Sequence, residues 1–584
     1  MFFVLYDSLS FRKKISLTLL RNTAIKVYTV VFLLVCTGSL LTGIRTSAQT
    51  TRLVNPILSG FYPDPSIVQA GKDYYLINST FSYFPGIPVF HSRDLKNWKQ
   101  IGNVISRTSQ MDFMGERMTR GLFAPSISYS NGNFYVTCTD IDHDGNFVVT
   151  ARNPAGPWSN PVRIPQVRGI DPSLFFDDNG KAYIVYNSDA PGNKPLYPGH
   201  RTIRMYEFDP VTLKVLGEEI QLVNGGVDIS KKPVWIEGPH IIHRSGWYYL
   251  YAAEGGTSVN HSQVVFRSRS VGGPYIPYEY NPILTQRDLP GDRKNPVTST
   301  GHAQFVQGPD GKTYAVFLAV RPYEGDYYNT GRETFIAPVE WIDEWPVINP
   351  GNKEVLYQYP VTYKEQKQKG ALPQSGNFAY TLHFSKTLDP SLLFMRKPDS
   401  SAFSLSEKKG LTLVLKPETI MEYGSPSFIG KRQQHLYSTV ETVLTFTPSS
   451  ANEKAGLTIF QSESHFYFLA KSLDQATPVI QLYKGKPGEK TMELISQEPL
   501  PGLQEPLFLK IASEGDTYNF YYSPDGKQWT LFKGKLDARY LSTKTAGGFV
   551  GCIYGMYATA SGLPSSNSAS FAYLKYAGND PMYR

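Results

Sequence analysis

Cysteine is nearly missing from this chain of 584 residues, which has three. Cys36 falls in the first fifty residues, and Cys138 and Cys552 lie far apart in the remainder. A disulfide framework is excluded, and so is a zinc site of the usual Cys/His spacing. Charge is also sparse, at 18% of residues. No Lys/Arg cluster of the kind that tracks phosphates occurs in the body of the chain, which argues against a nucleic-acid partner. What the chain has instead is hydrophobic residues at 41% and aromatics at 14%, with 39 Tyr, 49 Gly and 42 Pro. That is a globular composition that favours strands and tight turns, and the length predicts two or three domains.

The first fifty residues differ from the rest. Arg12, Lys13, Lys14, Arg21 and Lys26 lead into the apolar run "VYTVVFLLVCTGSLLTGI", followed by "RTSAQT". A short apolar core leaving through Thr46-Ser47-Ala48 reads as a secretory signal, residues 1–48, with cleavage near Ala48. The run is also about long enough to span a membrane, but its Thr and Gly content and small-residue exit favour cleavage. Cys36 follows Leu34-Val35 rather than a small residue, which argues against a lipid anchor. The expectation is a secreted or periplasmic protein with no stable span in the mature chain. Its formal charge falls from +8 to +3 on losing six basic residues and one acid.

A single pattern then recurs. "FYPDPSIVQAGKDYYLI" from Phe61 and "GIDPSLFFDDNGKAYIV" from Gly169 share it, and so do "FAPSISYSNGNFYVTCT" from Phe123, "EGPHIIHRSGWYYLYAA" from Glu237 and "GHAQFVQGPDGKTYAVFLAV" from Gly301. Each has a short strand, a Gly-containing hairpin turn and an aromatic, β-branched second strand. Units of roughly fifty to sixty residues with four strands each are propeller blades. Residues 53–350 are therefore expected to form a five-bladed β-propeller. Equivalent positions of a propeller meet on its axis, so the unit starts Asp64, Ala124, Asp171, Glu237 and His302 are expected to converge at one end.

Asp-Pro-Ser alone is common turn material. Acids at three starts and non-acids at the other two are not explained by a turn requirement, which would apply to every blade. Like charges gathered on an axis are also costly to desolvate. Glycosidic hydrolysis needs such a group, with one carboxyl to protonate the leaving oxygen and another to act on the opposite face.

Here the sequence resembles glycoside hydrolase family 43. The resemblance rests on "YPDPS", "GIDPSLFFDDNGKAYIVY" and "WIEGPHIIHRSGWYYLYAAEGGT", with "STFSYFPGIPVFHSRDLKNW" and "GLFAPSISY" similar to the xylosidase and arabinofuranosidase branch. It implies an inverting enzyme in which Asp64 is the general base, Glu237 the general acid, and Asp171 the residue that orients Glu237 and raises its pKa. Inversion implies base and acid roughly 6.5–9.5 Å apart with a water between them. The resemblance requires no cofactor, although His302 matches a histidine that often helps hold a cation or water, so a structural Ca2+ in the propeller channel is admitted. A structural histidine is the other reading of His302. Arg332 in "NTGRETFIAPVEW" matches an arginine that reaches the sugar and the acids, with a blade-face salt bridge as its alternative. Phe81 and Phe123 match aromatic walls of the terminal-sugar site, and Phe123 stands where Trp is commoner. "DIDHDGNFVVTA" from Asp140 begins like a calcium loop, but Ala151 replaces the required Glu, and a solvated loop near the site mouth is expected instead.

Residues 351–376 are polar and read as a linker. Beyond them, strands of period two over residues 377–584 predict a β-sandwich, and "SPSFIGKRQQHLYSTVETVL" resembles the concanavalin-like (lectin-like, jelly-roll) C-terminal domain of family β-xylosidases. That domain either narrows the pocket or binds glycan independently. The expected activity is hydrolysis of terminal β-D-xylosyl residues of xylan- or arabinoxylan-derived oligosaccharides. An α-L-arabinofuranosidase and a non-catalytic glycan-binding propeller are the alternatives.

Overall fold

The computed structural model describes residues 51–584 apart from 144, 501, 503 and 504. The expected signal segment lies outside them. Five antiparallel sheets follow one another in sequence, each built on consecutive strands. Blade I comprises Ser66–Ala70, Asp73–Ile77, Gly86–Ser92 and Lys99–Ile105. Blades II, III, IV and V begin with Leu122–Ser130, Ile170–Phe176, Glu237–Arg244 and Thr298–Gln307. These first strands pack against one another in a closed ring, blade V returning to blade I.

The hairpin turns form where expected. Asn131 and Gly132 (φ 48° and 78°), like Ser245 and Gly246 (φ 51° and 72°), take the paired left-handed conformations that suit a two-residue hairpin. The second strands, such as Ala182–Asp189 and Thr313–Val320, are buried along nearly their whole length. Each blade is covered on both faces by its neighbours, which explains continuous apolar runs where a half-exposed strand would alternate. The space between blades I and II holds Ile77, Val89, Val136 and Val149. Val148 and Ile184 fill the next gap, and Val185, Ile203, Leu250 and Val264 the one after.

Ring closure uses the segment before blade I. Arg52–Val54 pairs with Gln358–Pro360, and fully buried Asn55 exchanges hydrogen bonds with Ile336 and donates to the Leu356 carbonyl. The polar stretch read as a linker is strapped along blade I. The Gln366 amide donates to Asp94, and Gln368 reaches the His91 and Asn97 carbonyls at 2.7 and 2.9 Å.

Two facing sheets, of eight and six strands, form the C-terminal sandwich. Its core includes Leu411, Leu444, Leu457, Leu469, Ile511 and Phe571. A separate apolar cluster joins it to the propeller through Phe61, Phe81, Tyr83 and Met118 on one side and Phe428, Phe460 and Ile553 on the other. A buried ionic network lies beside that cluster. Arg321 of blade V donates to Glu333 at 2.6 and 2.9 Å, to Asp580 at 2.6 Å and to the Gln434 carbonyl at 3.1 Å. Cys138 and Cys552 are both buried and unpaired as disulfides. Among the described residues no helix is long and apolar enough to cross a membrane.

Removing one partner of a fully buried ion network leaves an uncompensated charge, at about 3–5 kcal/mol. Asp580→Ala is expected to destabilise the protein by that order in denaturant unfolding. Propeller and sandwich signals should be lost in one transition, because the apolar cluster couples them.

Candidate active site

Just before or within each inner strand lies one equivalent residue in the left-handed region: Asp64 (φ 51°), Ala124 (φ 35°), Asp171 (φ 55°) and His302 (φ 53°) in blades I, II, III and V. In blade IV this place belongs to Gly238 (φ 57°). The expected register therefore needs one correction: Glu237 stands one residue before the position shared by the other four. The cause is steric. A Cβ on residue 238 would lie 2.8 Å from Nε2 of His302, so only glycine admits the histidine ring there. Displaced by one, the acid of blade IV is presented differently from those of blades I and III. Asp64 and Asp171 are buried, and Glu237 is partly buried.

All three carboxylates nevertheless line one cavity of about 720 Å³, together with the other residues singled out from sequence: Phe81, Phe123, His302 and Arg332. Asp64 is the most constrained. Ser79 donates to its Oδ2 at 2.6 Å, and Arg332 donates to Oδ1 at 2.8 Å and to Oδ2 at 3.4 Å. Arg332 comes from the start of the third strand of blade V and also donates to Thr257 at 3.0 Å. Its guanidinium is thus an active-site group rather than a blade-face salt bridge. Asp171 accepts the Gly238 amide at 3.0 Å, a bond that ties blade III to the residue following Glu237.

Burial first, then the neighbouring charges of Asp171 and Asp64, push the Glu237 carboxyl well above the ordinary range, against the opposing pull of Arg332 and Arg201. Asp171 is also raised, chiefly by burial, with His302 pulling it down and Asp64 pushing it up. The site therefore holds a proton on a carboxyl where an isolated glutamic acid would lose it.

Several lining residues were not foreseen: Arg120, Arg201, Trp235, Thr257 and Phe549. Trp235 sits inside the quoted "WIEGPH" motif, two residues before Glu237, and its position was the available signal. Phe549 comes from the sandwich. It stacks on Phe81 with centroids 6.1 Å apart, meets Phe123 edge-on at 5.5 Å, and lies under Arg332 at 5.5 Å. Gly551 makes this approach feasible, since a Cβ there would lie 2.7 Å from the Thr330 carbonyl. Of the two expectations for the second domain, the one in which it narrows the pocket matches this geometry.

His302 does not sit in an oxygen-rich cage. Its Nδ1 is 3.9 Å from Asp64 Oδ1, and that carboxylate is already occupied by Arg332 and Ser79. Among the described residues no three ligand atoms of His, Cys, Asp or Glu gather around it. A calcium ion takes six to eight oxygens, more than the side chains around His302 supply by themselves. The calcium-like segment at Asp140 is only partly the solvated loop expected. Asp140 is buried, while Asp142 pairs with Arg120 at the cavity rim. Glu116, Asp140 and His143 do bring one ligand atom each within 4.8 Å of one another.

Comparison with known proteins gives the same architecture. Residues 53–346 match the model for glycosyl hydrolases family 43, and residues 382–577 match the β-xylosidase C-terminal concanavalin A-like domain. A xylosidase/arabinosidase of Butyrivibrio fibrisolvens is 37% identical over 89% of this chain and 98% of its own. A non-reducing end α-L-arabinofuranosidase of Bacteroides ovatus is 35% identical over 93% and 98%. The crystal structure of a family 43 enzyme from a capybara gut metagenome superposes with a TM-score of 0.81 at 40% identity, covering 88% of this chain and 96% of that one. With three carboxylates around one propeller-axis cavity and relatives matched along nearly their whole length, the chain belongs to glycoside hydrolase family 43.

Proposed function

We propose that this hydrolase is an inverting, exo-acting glycosidase that removes terminal β-D-xylosyl residues from xylan-type oligosaccharides. The observation that carries the reading is the convergence of Asp64, Asp171 and Glu237 on a cavity whose wall is completed by Phe549 of the second domain. Such a pocket takes the end of a chain. A non-catalytic glycan-binding propeller has no use for a buried carboxyl that retains its proton. The names of the two curated relatives support a second activity on α-L-arabinofuranosyl ends. Both sugars present ring hydroxyls and an exocyclic leaving oxygen to the same groups.

In this mechanism Asp64, its plane fixed by Arg332 and Ser79, takes a proton from a water as the water oxygen bonds to the anomeric carbon. The bond from that carbon to the leaving oxygen breaks, and Glu237 donates its proton to that oxygen. Asp171 acts through Glu237 by its charge and by its hydrogen bond to the Gly238 amide. Arg332 acts through Asp64, holding both of its oxygens so that they face the water. The sugar is released with its anomeric configuration inverted. The aromatic wall of Phe81, Phe123 and Phe549 excludes bulk water from the rest of the cavity. In a compartment outside the cytoplasm, as the amino-terminal sequence suggests, the substrates would be fragments of plant-wall xylan or arabinoxylan.

Three measurements test the assignment. Glu237→Gln is expected to lower kcat/KM on xylobiose by about 10³-fold, within the range of general acid catalysis. The loss should be at least about tenfold smaller on nitrophenyl xyloside, whose leaving group needs little protonation. Equal losses on both substrates would remove Glu237 as the acid. The proton on Glu237 is required, so kcat/KM should fall as pH rises through its elevated pKa. Asp171→Asn removes one of the charges that raise it, and should move that alkaline limb about one unit toward lower pH. Phe549→Ala should reduce kcat/KM roughly tenfold by opening the cavity to water, with the midpoint of the single unfolding transition little changed.

A further inference from the structure

Trp235 is an anomaly outside the mechanism just described. It is an aromatic residue with φ 54°, in the left-handed region. That conformation costs a non-glycine residue about 1 kcal/mol or more, and such outliers cluster at functional sites. The strain is held in place from several directions. The Trp235 amide donates to the Gly199 carbonyl at 2.9 Å, and the next carbonyl, of Ile236, accepts from Asn187 at 2.5 Å. The indole is 37% exposed, although the residue following it is fully buried.

One face of the ring carries the Arg201 guanidinium at 4.7 Å. Arg201 is itself immobilised by Asn187 Oδ1 at 3.0 and 2.6 Å and by an ion pair with Asp189. Among the described residues no second ring or cation lies over Trp235. The structure thus presents a rigid, backed, partly exposed indole that shares the cavity with Glu237 and precedes it by two residues. Glu237 is the group that reaches the scissile oxygen, so the sugar on the far side of that oxygen leaves along the wall beside it. A flat aromatic surface with a fixed cation beneath it matches the apolar C–H face of a sugar ring and, at its edge, the hydroxyls.

We infer that Trp235, backed by Arg201, is the platform for the leaving-group sugar, and that it makes the enzyme selective for leaving groups that are themselves sugar rings. This rests on the proposed exo-glycosidase reading. Phe81, Phe123 and Phe549 would then surround the sugar that is cut off, and Trp235 the chain that remains.

The test compares two substrates that share the xylosyl unit and differ in the leaving group, xylobiose and β-xylosyl fluoride. Fluoride offers no ring to Trp235. Glycine is at ease at φ 54°, so Trp235→Gly should fold with its melting temperature within about 2 °C of the parent. Its kcat/KM should fall about 10- to 100-fold on xylobiose, as for removal of a principal aromatic contact, and stay within about twofold on the fluoride. Trp235→Tyr should restore most of the xylobiose rate by keeping a ring. Equal losses on both substrates, or no loss on either, would overturn the assignment. The parent enzyme's own rates test the underlying reading separately. If it cleaves arabinofuranosyl substrates instead, the same ratio is read with an arabinosylated xylo-oligosaccharide and arabinofuranosyl fluoride. Failure on both pairs would overturn the platform and the glycosidase reading together.

Discussion

Negative charge buried against negative charge is the constraint around which this protein is organised. Asp64, Asp171 and Glu237 sit in one cavity, and Arg120, Arg201 and Arg332 line it with them. The molecule does not neutralise the group outright. It gives Arg332 and Ser79 to Asp64 and the Gly238 amide to Asp171, and among the described residues it gives Glu237 no hydrogen-bond donor. Burial and like charge raise the Glu237 and Asp171 carboxyls above their ordinary range, and arginines pull back against the rise at Glu237.

The second domain takes part in the same balance. The apolar cluster at the domain interface lies directly behind the segment that leads into Asp64. Arg432 donates to the Phe61 carbonyl at 2.7 Å, and Gln434 reaches the Ser59 carbonyl at 3.1 Å. The sandwich therefore both holds the backbone before Asp64 and sends Phe549 over the cavity. Propeller and sandwich form one catalytic unit in the physical sense, since neither alone encloses the carboxylates.

Much of this was readable in the residues. The repeat of Gly-containing turn and aromatic strand was enough for five blades, three of them opened by X-Pro-Ser, because hairpin chemistry is local and the period is long. Asp64 and Asp171 could be placed for the same reason. The one-residue shift of Glu237 could not, because it depends on how the His302 ring packs against residue 238, a contact between blades. Phe549 was beyond reach for a related reason: nothing near it in sequence refers to the propeller. The polar stretch before the sandwich read as a linker because its partners, Asp94, His91 and Asn97, lie more than two hundred residues earlier. Local signals were legible, and contacts that depend on closure of the ring or docking of the domains were not.

The backbone of the ring repeats five times, but its spokes do not carry the same load. Ala124 stands where Asp64, Asp171 and His302 stand in their blades, and it contributes a methyl group to the cavity wall. That blank spoke has a consequence of its own. A fourth acid there would set one more negative charge among the other three, whereas a methyl leaves that part of the wall neutral. In a scaffold assembled from near-copies, the copy without a charged group limits the repulsion that the others have to bear.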